Sequence, residues 1–150
     1  MVNLLVGNSS EAMTKYNCLT EYGNVDNKLS LELANDAARV NWGGSWRMPT
    51  HKEFYELSQL PNEWTTQEGI YGRKFTATNG NSIFLPAAGE IDNTTTNQVQ
   101  SRGSYWTSTL HTSWCNEGLA WQFSSYGIGA RFHSISYRNQ GYTIRAVQDY

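Results

Sequence analysis

The side chains able to carry out chemistry are few in this chain, and they stand apart. His51, His111 and His133 are each isolated, whereas zinc takes clustered Cys and His ligands. Cys18 and Cys115 lie far apart; such a pair either forms one bridge in an oxidising compartment or stays as two ordinary buried thiols, and the thiols are favoured. No G-x-S-x-G elbow presents a nucleophilic serine, and Gly127-Ile128-Gly129 lacks the third glycine of a dinucleotide-binding loop. PNEW at 61–64 and WCNEG at 114–118 mix acids and amides as Ca²⁺ loops do, but carboxylates are too thin around them to supply several converging oxygens. Glu63 reads as a solvated helix flank. Asn116 and Glu117 read as loop surface, with Asn116 placed to touch a ligand directly. No catalytic residue, metal ion or cofactor is expected.

What remains suits recognition. The stretch SSYGIGARFHSISYRN, residues 124–139, has no acid and no lysine. Across 110–139, Tyr and Trp supply contact area at small entropic cost, while Ser, Gly and Asn supply adaptable hydrogen bonds, the composition of a paratope. The residues expected to meet a ligand are Leu110, His111, Ser113, Trp114, Asn116, Ser124, Tyr126, Ile128, Arg131, Phe132, His133, Ser134, Ser136 and Tyr137. If Trp121 and Phe123 point inward, strand alternation turns Gln122, Ser124 and Tyr126 outward, and a turn at 127–129 returns part of 131–137 to the same side. One contiguous exposed face would then hold His111, Trp114, Tyr126, Phe132, His133 and Tyr137. The plainer alternative makes Phe132 and Ile135 simple strand residues, with Tyr126 and Tyr137 half-buried against their neighbours.

Composition narrows the partners. The 150 residues suit one domain, with 39% hydrophobic, 16% charged and 13% aromatic residues. Eleven basic residues face 13 acidic ones with no basic run, which argues against a nucleic-acid partner. No apolar run reaches the length of a membrane span, and the opening MVNLLVGNSS lacks the form of a signal peptide. The sequons at Asn8 and Asn93 matter only in a glycosylating secretory pathway.

The elements that must position this surface are read from periodicity. KLSLELANDAARVNW, residues 28–42, spaces Leu29, Leu33, Ala37 and Val40 as an amphipathic helix that Gly43-Gly44 would end. Thr50 followed by Glu53 is a capping box, opening a second helix with Phe54, Leu57 and Leu60 on one face. Asn79-Gly80 marks a hairpin, and GLAWQF and YTIRAV read as strands. Helices first and strands afterwards predict an α+β fold with helices packed on an antiparallel sheet.

Taken in order, WGGSWRMPTHKEFYEL, FLPAAG, GSYWTST, AWQF and GYTIRAV resemble the Fibrobacter succinogenes major paralogous domain, over roughly residues 28–148. This is a bacterial C-type-lectin-like family, and the chain is most similar to its members that serve as hypervariable target proteins of diversity-generating retroelements. The resemblance implies a C-type-lectin-like fold of two helices, a mostly antiparallel sheet and long irregular segments. It divides the single domain into a scaffold, 1–105, and a variable display region at about 110–139. In such variable proteins the adenines of template asparagine codons are randomised, so a mutated site cannot become Trp, Met, Lys, Glu or Gln. Residues 124–139 contain none of these five, whereas Lys, Glu and Gln recur through the first hundred residues. The implied function is non-catalytic binding of a protein or glycan on a cell or phage surface. The alternative is a non-diversified carbohydrate-binding or adhesin module of the same family. An enzyme like the formylglycine-generating oxidases would need Cys18 and Cys115 to be brought together by the fold. Trp46, Met48, Trp106 and Trp121 are expected in the core, and Arg47 and Arg145 are expected as paired structural struts.

Overall fold

The computed structural model describes residues 15–128 and 134–149, whose strands pair almost wholly antiparallel. Two short helices, α1 (Ala37–Trp42) and α2 (His51–Ser58), flank the two-residue strand β1 (Trp46–Arg47). A three-stranded sheet follows: β2 (Asn62–Gln67), β3 (Ile70–Thr76) and β4 (Ser82–Pro86), in that spatial order. A small hairpin, β5 (Glu90–Asp92) and β6 (Thr95–Asn97), leads to the long pair β7 (Arg102–Leu110) and β8 (Glu117–Ser124). Both β9 (Gly127–Ile128) and β10 (Ser134–Tyr137) then pair with β8, and β11 (Val147–Gln148) returns to β1. Helices packed on antiparallel strands make this an α+β fold.

Aromatic burial on one face of β7 and β8 builds the core. Alternation along β8 turns Trp121 and Phe123 inward, where they meet Tyr105 of β7 and Phe75 and Leu85 of β3 and β4, each at most 2% exposed. From α2, Phe54 stacks on the Trp121 ring at 4.9 Å and nearly parallel. The strands come this close because two motif glycines lack side chains: a Cβ on Gly103 would strike the Phe123 ring, and one on Gly118 would strike Trp106.

The capping box forms as the spacing of Thr50 and Glu53 requires, with the Thr50 side chain accepting from the Glu53 amide and Glu53 accepting from the Thr50 amide. Glu53 also meets the Arg47 guanidinium at 2.7 Å, and Arg47 bonds Asp149 at 2.8 Å. Arg47 is therefore the strut its apolar setting demands, joining α2 to the end of the described chain. Arg145, by contrast, lies exposed and makes no ion pair among the described residues.

The helix expected over 28–42 occupies only its last six residues. Asp36, 3% exposed, caps it by accepting from the amides of Ala38 and Arg39, and also accepts from Met48 N. Upstream, Leu31 N donates to Ser108 O and Leu110 N to Leu29 O, so the backbone of 29–31 is drawn against β7 instead of coiling. Leu29 and Leu33, apolar at helical spacing, are left largely exposed. YTIRAV likewise forms no continuous strand: Thr143 makes a single bridge to Tyr105 before the chain reaches β11. Glu63 sits exposed in β2 and flanks no helix. Met48 and Trp121 are buried, but Trp46 is half-buried, edge-on to Trp42. Trp106 is also half-buried, stacked on Tyr142 at 4.7 Å with its Nε1 donating to Gln140 O.

Two outcomes are expected. Trp121→Ala should lower stability by about 3–5 kcal/mol in denaturant titrations, and Trp106→Ala by less, because its ring is only half removed from water. The second concerns pH. Arg47, and then the Thr50 amide, hold the Glu53 carboxyl at about 2 instead of its ordinary 4.5. A depressed acid stabilises the fold above its unfolded pKa and loses that contribution as pH falls through the folded value. The melting-temperature gap between the native chain and Glu53→Gln should therefore be full above about 4.5 and close as pH approaches 2.

Candidate binding face beside β8

β8 has two different sides. Trp121 and Phe123 belong to the core, while Gln122 on the opposite face donates through Nε2 to Ser104 Oγ and, at 3.4 Å, to the Tyr142 hydroxyl. Ser124 pairs with Gly127, leaving Ser125 and Tyr126 as a two-residue turn with Tyr126 fully exposed at its tip. The turn thus lies at 125–126, just before the expected 127–129. Gly127, with φ of 142°, takes up the conformation that closes it. The chain returns along β8, Ser134 opposite Ala120 and Tyr137 opposite Glu117. Ile135 and Tyr137 are 44% and 57% exposed, and Ser136 Oγ shares a hydrogen bond of 2.8 Å with the Tyr142 hydroxyl. Burial raises the Tyr142 pKa, so that hydroxyl keeps its proton.

The segment before β8 is shaped by local bonds. His111 Nδ1 accepts from Trp114 N at 2.9 Å, folding 111–114 into a turn that leaves Ser113 exposed and Trp114 57% exposed. Asn116 is half-buried, its Oδ1 enclosed without a partner among the described residues, while its carbonyl accepts from Arg138 N. Leu110 does not belong on the face: at 7% exposed it points inward from the end of β7.

Cys18 and Cys115 are a disulfide, and not the two thiols their spacing favours. Proximity here is created by the fold, since 97 positions separate them. The pair that an oxidase-like chemistry would need thus does come together, with Cys115 wholly buried. Among the described residues, no three His, Cys, Asp or Glu side chains gather to hold a metal ion.

Two guanidiniums, Arg73 buried and Arg138 half-buried, neither evident from the composition of the display region, grip the ends of β8. Arg138 donates from Nε to Glu117 O and from Nη2 to Tyr16 O, both at 3.1 Å, and its burial lowers its pKa to about 10. Arg73, 7% exposed, donates to Ser124 O at 2.8 Å and to Asn62 Oδ1. The cue was an arginine standing inside a β run, where it must find oxygen acceptors.

The predicted site residues therefore fall into two groups. Trp114, Ser136 and Tyr137 gather near the start of β8, while Ser124 and Tyr126 stand at its far end, roughly 23 Å away at about 3.3 Å per residue. Ile128 lies in β9 and Ser134 in β10 between them. Arg131, Phe132 and His133 lie outside the described residues. The face is a row along a sheet edge and not a single round patch. Beside its Tyr137 end opens a cleft of about 320 Å³, lined by Glu90, Asp92 and Glu117, by Tyr137 and Tyr142, and by Gln140. Four of these six lie outside the segment whose composition marks it for recognition, which is why composition did not find them.

Replacing Cys18 or Cys115 by Ser should lower stability by about 2–5 kcal/mol, because a long loop is released in the unfolded chain. The measurement is a denaturant titration, with the same shift expected on reduction of the native chain.

No protein-family model matches this chain, and no curated protein or solved structure matches it either.

Proposed function

We propose that this chain is a non-catalytic ligand-display domain of C-type-lectin-like architecture, in which 110–139 is the hypervariable region of a diversity-generating retroelement's target protein. One observation carries the proposal. Trp114, Tyr126 and Tyr137 are 57%, 100% and 57% exposed beside the pairing of β8 with β9 and β10. Large rings left in water cost solubility and mark a surface meant to be covered. Tyr and Trp gain contact area there with little rotamer entropy to lose, and the intervening Ser and Gly adapt their hydrogen bonds.

Two further features support it. The run 124–139 lacks the five residue types that randomised asparagine codons cannot produce. The disulfide requires an oxidising compartment, as a protein working on a cell or phage surface would meet. The ligand is a protein or a glycan.

Two measurements test this. Trp114→Ser and Tyr126→Ser combined should abolish capture of the chain by the surfaces it recognises, scored by labelled binding to cells and to a glycan array. Each exposed change should alter stability by less than about 0.5 kcal/mol. Retained capture by the folded double variant would rule out the aromatic edge as the contact. Sequencing the gene's surroundings should reveal a reverse transcriptase beside a near-copy of the 3′ coding segment; its absence would leave a non-diversified adhesin module instead.

A further inference from the structure

The turn that presents Trp114 is closed by an imidazole. His111 Nδ1 accepts from the Trp114 amide at 2.9 Å, and because a backbone N–H can only donate, that nitrogen carries no proton in the closed turn. An acceptor three residues before a free amide is the place where Ser, Thr, Asn or Asp ordinarily caps a turn. None of those four loses its acceptor between about pH 5 and 8, whereas a histidine does, since the imidazolium bears a hydrogen on both ring nitrogens. Protonation would set an Nδ1 hydrogen against the Trp114 N–H.

Little else fixes the turn. Thr112, Ser113 and Trp114 are exposed, and the Trp114 carbonyl accepts from Glu117 N at 3.1 Å. On either side the chain is held independently: Leu110 N donates to Leu29 O, and Cys115 is tied to Cys18 by the disulfide. A rearrangement of 111–114 therefore stays local, moving Trp114 while the core and the strand pairing persist.

The charged groups on the elements packed around this turn have engagements of their own. On the segments beside the end of β7, Lys15 and Lys28 both pair with Glu32, and Asp26 accepts from the amides of Tyr16 and Lys28. Arg138 donates to the carbonyls of Glu117 and Tyr16, and Glu117 lines the cleft beside Tyr137. From α2 comes His51, the second imidazole among the described residues, whose amide donates to Thr109 Oγ1.

We propose that His111 is an acid-sensitive latch on the Trp114 turn: neutral, it holds the indole in its displayed pose; protonated, it releases it. The consequence for binding rests on the display function proposed above. The open turn takes up a proton that the closed turn cannot hold on Nδ1, so closure is complete above the range in which histidines titrate and is lost as pH falls through it. A ligand gripped through Trp114 would be captured near neutral pH and let go in a mildly acidic environment.

The test follows the Trp114 amide and the His111 ring protons of the whole chain by NMR from about pH 8 to about pH 5. The amide should move upfield with the same midpoint as the ring, and its protection from exchange should fall by about tenfold. His111→Asn places an amide oxygen where Nδ1 stood and cannot titrate, so its Trp114 amide should keep the high-pH position throughout. His111→Leu should show the acid position at every pH, and His51→Gln should titrate as the native chain does. A Trp114 amide that stays still and protected while His111 titrates, or that moves equally in His111→Asn, overturns the latch, and so does loss of the movement in His51→Gln. Should His111→Asn fold poorly, the protection of Trp114 in the native chain decides. Capture by cells and by the glycan array should fall in acid for the native chain and persist for His111→Asn. Capture that ignores pH, although the combined Trp114→Ser, Tyr126→Ser variant abolishes it, overturns the link from latch to binding. Capture indifferent to that variant would remove the display function alone and leave the latch, whose amide shifts need no ligand.

Discussion

Burial of Trp121 and Phe123 on one side of β8 is the constraint from which the rest of the molecule follows. Because side chains alternate along a strand, seating those rings against Phe54, Phe75 and Tyr105 fixes the register of β8 against β7. On its other side β8 pairs Ser124 with Gly127 and Glu117 with Tyr137, and Ile135 and Tyr137 emerge along that second ladder. A slip of one residue would carry the aromatic rings of β8 to the other face of the sheet.

Irregular segments around this strand are held by point attachments, because they lack ladders of their own. The disulfide pins 15–18 to the start of β8, Arg138 bonds the carbonyls of Glu117 and Tyr16, and Arg73 holds the carbonyl of Ser124. At the other side Arg47 joins α2 to Asp149. Each attachment either removes chain entropy or satisfies carbonyls that no strand covers. Ser125 and Tyr126, in the turn after β8, make no such attachment among the described residues, so substitution there leaves these bonds in place.

The acidic cleft is assembled from segments far apart in the sequence. Glu90 and Asp92 arrive on the β5–β6 hairpin, whose Ile91 exchanges backbone hydrogen bonds with Gly141 and so brings β5 beside the chain leading to Tyr142. Two carboxylates from one part of the sequence thereby face two phenols from another, a juxtaposition that exists only once the chain is folded.

Local chemistry was legible in the residues themselves. The Thr50–Glu53 capping box, the Asn79-Gly80 turn, the inward alternation of Trp121 and Phe123 and the pairing of Arg47 each depend on side chains a few positions apart or on a charge that burial obliges to find a partner. Non-local pairing decided the remainder. Residues 28–36 carry a helical period, but the backbone of 29–31 is taken by β7, and the disulfide unites cysteines that spacing left apart. Leu110 has the neighbours of a surface residue and is buried by the end of β7. The cleft at Glu90, Asp92 and Glu117 had no sequence signature at all. The physical reason is common to these cases: periodicity records which face of an element is apolar, whereas the partner that claims that face, or the backbone beneath it, is chosen by contacts between segments far apart in the chain.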